Sequence, residues 1–130
     1  MQTDQDLADF WTDVLQTRCN YPAPRRLASQ LGAATMTRRC ECGCVSFELA
    51  IGNGAAPDPL MPPGGGGMMF EASFRLVDGR ELDVLLFCDP DGNLSDIEVQ
   101  CQGNSEPVPA DPRFDGGPFD VHVADGALRD

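Results

Sequence analysis

The sequence predicts an α+β fold, with two N-terminal helices packed on one face of an antiparallel β-meander of about five strands. Three observations predict it. Apolar residues near the N-terminus recur at helical spacing, and from about residue 34 the period changes to two. Two Asp-Gly turns then bring the alternating runs into register. At 130 residues the expected organisation is a single domain, 1–130, large enough to bury one core.

The helices are expected over about 4–32. Leu7, Phe10, Trp11, Val14 and Leu15 fall at i, i+3, i+4, i+7 and i+8, which makes one apolar stripe. Thr3 is placed to cap this helix, Asp4 and Asp6 suit the positive end of its dipole, and Arg18 suits the other end. Pro24 suits the first turn of a second helix, with Leu27 and Leu31 on one side and Gly32 positioned to end it.

The sheet is expected over about 34–101. Val45, Phe47, Leu49 and Ile51 alternate with polar or small residues, as do Phe70, Ala72, Phe74 and Leu76. Leu82, Val84, Leu86 and Cys88 form a third apolar face, and Ile97, Val99 and Cys101 a fourth. A two-residue turn at Asp91-Gly92 pairs Leu86 with Ile97, Val84 with Val99 and Leu82 with Cys101, so the apolar faces coincide. At Val77-Asp78-Gly79-Arg80 a two-residue loop would set Leu82 beside Arg75, on the wrong face. A three-residue loop with Gly79 left-handed pairs Phe74 with Leu82 and Ala72 with Val84, and burial selects it.

Two stretches stand outside this plan. Residues 52–67 hold six Gly and four Pro and predict a mobile loop. Residues 102–130 predict an irregular acidic tail anchored only by Phe114, Phe119, Val121 and Val123, with one short strand at 119–123.

Charge restricts function. Nine basic residues face 21 acidic ones, for a net charge of −12. Every base is Arg, and the missing lysine excludes Schiff-base and P-loop chemistry. The single histidine excludes sites with two or more His ligands, and any Ser-His or Cys-His nucleophile would have to use His122. Strong negative charge repels phosphate backbones and anionic lipid, so nucleic acid and membrane are not expected partners; a basic protein is compatible with the charge, against the simpler reading of a solvated acidic surface. Asp83, Asp96 and Glu98 fall on the outer face of the meander, where they suit an Arg/Lys-rich partner. The acidic N-terminus lacks the basic and apolar regions of a signal peptide, which points to the cytoplasm and to reduced cysteines.

Arg39-Cys40-Glu41-Cys42-Gly43-Cys44 is the segment least explained by folding. A tight hairpin here crowds three sulfurs, and zinc, which takes four tetrahedral ligands, is the chemical reason to crowd them. Cys40, Cys42 and Cys44 are therefore the candidate metal ligands, with Cys88 the candidate fourth. The one-residue spacing departs from the usual two of zinc knuckles, so reduced thiols in a structural turn compete with this reading. Cys88 and Cys101 lie about six residues, or roughly 20 Å, apart along one hairpin and cannot complete one site together. Asp89 to Ser95 is similar to the start of a calcium loop. Leu94 and Gln100 stand where that loop needs Gly and Glu, and a hairpin turn accounts for every residue.

R-C-E-C-G-C-V-S-F at 39–47 and D-G-N-L-S-D-I-E-V at 91–99 resemble a family of small uncharacterised bacterial proteins. Its members carry R-C-x-C-G-C-x-[ST]-[VF] and later D-G-x-L-S-x-[LI]-E-V, and the resemblance spans about residues 25–101. It implies a shared fold and transfers no catalytic residue.

No catalytic constellation emerges, Cys42 being the only nucleophile to name. The functional expectation is thus a small cytoplasmic, non-enzymatic protein-interaction module of the inhibitor or immunity type, working through an acidic surface. A zinc-binding protein is the alternative.

Overall fold

The computed structural model describes residues 3–40, 45–52 and 54–130. Helices α1 (Asp4–Thr17) and α2 (Pro24–Ala33) precede β1 (Ala34–Arg39), β2 (Val45–Ile51), β3 (Gly67–Arg75), β4 (Glu81–Cys88), β5 (Leu94–Cys101) and β6 (Asp120–Val123). Among the described residues the strands form one six-stranded antiparallel sheet in the order β1-β2-β5-β4-β3-β6. The meander β3-β4-β5 is its centre, as expected. The sheet exceeds the expected five strands because the tail adds β6 against β3.

α1 begins in a capping box. The Thr3 hydroxyl accepts from the Asp6 N–H, and the Asp6 carboxylate accepts from the Thr3 N–H, both at 3.0 Å. These bonds hold the Asp6 carboxyl below its ordinary range. Leu7, Trp11, Val14 and Leu15 are buried as the stripe requires, while Phe10 lies at the rim and meets Trp11 edge-on at 5.0 Å. α2 starts at Pro24 but does not stop at Gly32. It runs to Ala33 and passes straight into β1, because Ala34 is already extended and no left-handed residue is needed.

Both helices join one hydrophobic core with the inner face of the sheet. Phe47, Phe70, Phe74, Leu82, Val84, Leu86, Ile97 and Val99 line that face and are nearly sealed from solvent. Burying each large side chain contributes roughly 1.5–3 kcal/mol.

The Gly79 turn is the three-residue loop that burial selected, with Phe74 opposite Leu82, Ala72 opposite Val84, and Gly79 at φ +92°. At the other turn the register is as expected from Leu82–Cys101 to Leu86–Ile97, but the loop is longer. The Asp89 N–H donates to the Asn93 carbonyl at 2.9 Å, and a bulge at Ser95 restores the register. The Ser95 hydroxyl lies 3.2 Å from the Phe87 carbonyl, one of two acceptors within reach of its single proton. A second bulge, at Met69 in β3, turns that side chain inward, where the Tyr21 hydroxyl meets its sulfur at 3.8 Å. Strict alternation would have placed Met69 outside.

The Gly/Pro-rich segment is docked over the β4–β5 turn, which corrects the expectation of a free-standing mobile loop. Leu60 is fully buried, the Leu60 N–H donates to the Gly92 carbonyl at 2.9 Å, and the Gly64 N–H donates to the Pro90 carbonyl at 2.7 Å. Gly92 is required here. Its φ is +85°, and a Cβ would fall 1.9 Å from the Met61 carbonyl oxygen.

The tail is also more engaged than expected. Phe114 packs edge-on against Phe74 at 4.9 Å, with the Arg18 guanidinium 5.0 Å above its ring. Phe119, expected as an anchor, is instead 53% exposed, with Arg75 stacked 5.2 Å from its centroid. At the far end the Asp130 carboxylate accepts from the N–H groups of Arg25 (2.8 Å) and Arg26 (3.0 Å), capping α2 where Ala23 offers no side-chain acceptor. Among the described residues no helix is long and apolar enough to cross a membrane.

Candidate functional site

The helices cover one sheet face, and the opposite face gathers the charge. Period-two alternation sends Glu81, Asp83, Leu85 and Phe87 of β4 outward, opposite the buried Leu82, Val84 and Leu86. Register then lines up neighbours across the strands. Asp120, Ser73, Asp83 and Gln100 form one row, and His122, Glu71, Leu85, Glu98 and Ser46 the next. Met68, Phe87, Asp96, Glu48 and Arg38 form a third. Asp83, Asp96 and Glu98 thus lie where the alternation put them. Glu48, Glu71, Glu81 and Asp120 extend the acidic face to seven carboxylates, with Arg38 at one edge and Arg75 opposite Glu81. Nothing in the sequence signalled Asp120 or His122 as part of this surface, because the docking of β6 beside β3 leaves no local mark.

Neutralisation on this face is sparse. Asp120 lies 3.0 Å from the His122 imidazole, and Asp96 accepts from the Ser95 hydroxyl at 2.9 Å. Among the described residues no arginine forms an ion pair with any of the seven; the arginine pairs are Arg39–Asp4, Arg80–Asp78 and Arg113–Asp111. Arg75 instead bonds to the Gly79 carbonyl and stacks on Phe119. Partial burial raises the Glu71 carboxyl above its ordinary value, and the charge on Asp83 raises it further. His122 opposes the rise, while Asp120 and Glu81 add to it. Beside these carboxylates Leu85 and Phe87 are half-buried and Met68 is exposed, so the face has an apolar strip within an acidic field. A depression of about 670 Å³ lies at its β1 side, over Ser46, Glu48, Asp96 and Glu98.

The cysteines divide differently. Cys40 is described and exposed at the end of β1, with its N–H donating to the Ser46 carbonyl at 2.8 Å. Cys42 and Cys44 lie outside the described residues. Cys88 is buried on the helix side of β4. Cys40 stands level with Leu85, by way of Ser46 and Glu98, three strands across the sheet and three residues short of Cys88. That separation is roughly 15 Å or more at ordinary strand spacing. The structure thus does not bring Cys88 beside Cys40, the one residue of the Cys40/Cys42/Cys44 cluster that it describes. Burial pushes the Cys19 thiol up to about 12, and burial, with the Asp89 charge, pushes the Cys88 thiol up to about 12. Among the described residues no group of three or more His, Cys, Asp or Glu side chains is arranged to hold a metal ion.

No family model matches the chain, and no curated protein or solved structure shows significant similarity to it.

Proposed function

We propose that the protein is a non-enzymatic interaction module that acts in the cytoplasm and binds a basic protein through the outer sheet face, in the manner of an inhibitor or immunity protein. One observation carries this reading: seven carboxylates share one face and no arginine pairs with them among the described residues. Like charges held this close repel, and a partner that brings positive charge relieves the repulsion while gaining the apolar strip of Leu85 and Phe87. The net charge of −12 steers a basic protein and turns away nucleic acid and anionic lipid. His122, the one imidazole, is exposed and engaged by Asp120, which favours a binding over a catalytic role. Three thiols shielded in the core (Cys19, Cys88 and Cys101) accord with a reducing compartment.

The test is affinity capture from the native host at low and high salt, with three baits. Wild type should retain an Arg/Lys-rich protein at low salt, and charge reversal at Glu48, Asp96 and Glu98 should lose it. Charge reversal at Asp9 and Asp13 of α1 should keep it. Equal loss from the helix and sheet variants, or no partner retained by wild type, would overturn the proposal.

A further inference from the structure

Within the acidic face one carboxylate differs from the rest. Asp83 is 8% exposed, as is Ser73 directly opposite it on β3. Neither side chain has a hydrogen bond or ion pair among the described residues. No unpartnered buried oxygen is completely sealed from solvent, so a group arriving from outside can reach them. Most of the Asp83 residue is covered while its carboxylate oxygens keep contact with solvent, and no basic group of the described chain answers its charge. Glu71 and Asp120 flank this point from β3 and β6, and their charges add to the field.

We infer that Asp83, with Ser73 beside it, is the seat for a guanidinium group, so that an arginine of the basic partner inserts there and anchors the complex. The inference rests on the reading of the acidic face given above. Arginine fits better than lysine for two reasons. Its planar fork of five donors can serve both oxygens of Asp83 together with the Ser73 oxygen, whereas an ammonium group offers a single point charge. It is also the more weakly hydrated cation, so less is lost when it leaves water for a largely buried position. Leu85, next to Asp83 on the same face, can pack against the methylene stem.

The probe is a hexa-arginine peptide, titrated at low salt into the full-length labelled chain while the backbone amides and side-chain carboxyls are followed by NMR. Wild type should shift at Asp83, Ser73 and Glu71, and hexalysine should bind several-fold more weakly. Asp83→Asn should weaken hexa-arginine binding about tenfold or more, as expected for a desolvated charge partner. Glu48→Gln, at the edge of the face, should weaken it about twofold, as for an exposed pair. In the absence of peptide, Asp83→Asn should leave Tm unchanged or slightly raised, because the carboxylate removed has no partner among the described residues. If Asp83→Asn binds within twofold of wild type while the Glu48/Asp96/Glu98 charge reversal abolishes binding, the anchor is wrong and the acidic-face reading stands. If wild type shows no saturable shift on the sheet face, both fall. A lowered Tm in Asp83→Asn would mean that the fold itself uses this carboxylate, and the anchor would be rejected.

Discussion

Gln30 makes three hydrogen bonds from a position with no solvent exposure. Its amide nitrogen donates to the Asp58 carbonyl at 2.9 Å and to the Asn93 side chain at 3.0 Å, and its oxygen accepts from the Leu94 N–H at 2.8 Å. One side chain therefore ties α2 to the docked loop and to the β4–β5 turn. Gln30→Leu keeps the volume but strands the Leu94 N–H in the core, and should cost about 2–4 kcal/mol, read as a lower urea midpoint at unchanged slope. The buried thiols yield a second expectation. Unfolded, Cys19 and Cys88 lose their protons near the ordinary value of 9.0, whereas folded they hold them to about 12. The unfolded state thus binds fewer protons between those values, and stability should fall as pH rises from about 9 to about 12. At pH 8 neither thiol should react with iodoacetamide faster than the chain unfolds, and peptide mapping by mass spectrometry checks this directly. Gln30 was not legible in the sequence, because a glutamine on a helix reads as surface until the third partner arrives from residues 28 to 64 positions away.

At the level of elements, hydrophobic period carried most of what could be read beforehand. α1, the meander and the Gly79 loop follow from spacing and burial, since a slip of one residue would turn an entire apolar face outward. Where local chemistry and long-range contact compete, the contact decides. The Asp91-Gly92 pair looks like a two-residue turn, yet Met61 lies against Gly92 and the turn opens into a longer loop reset by the Ser95 bulge. α2 shows the same effect at its start, where its cap is Asp130, about 105 positions along the chain. Asp130→Ala should remove both acceptors from the positive end of this helix and cost about 1 kcal/mol. Thermal denaturation should show this as a small drop in Tm, and hydrogen exchange should quicken at Arg25 and Arg26 before it does in the sheet. The acidic face was half legible. Asp83, Asp96 and Glu98 follow from alternation, whereas Glu48 joins only through the β2–β5 pairing, and Asp120 only through β6.

For the molecule as a whole, the acidity works against the fold. Glu71 is the clearest case, since its raised carboxyl value means that the folded chain holds this proton more tightly than the unfolded one. Stability from this group is present below the ordinary glutamate range and is lost as pH rises through the folded value. Glu71→Gln should therefore stabilise the free protein at neutral pH, with the gain shrinking as salt is added; matched thermal melts at pH 4 and pH 7 test the sign. The strand order has a consequence of another kind. A sheet ends in two rows of unpaired backbone groups, which can recruit further strands. Here β1 is kinked at Thr37, between Met36 and Arg38, and ends in two arginines, while β6 is only four residues long. Neither border offers a long, straight template, so addition of a seventh strand from another molecule is disfavoured. The two borders thus carry the sheet's own protection against pairing with copies of itself, and the broad outer face between them plays no part in that protection.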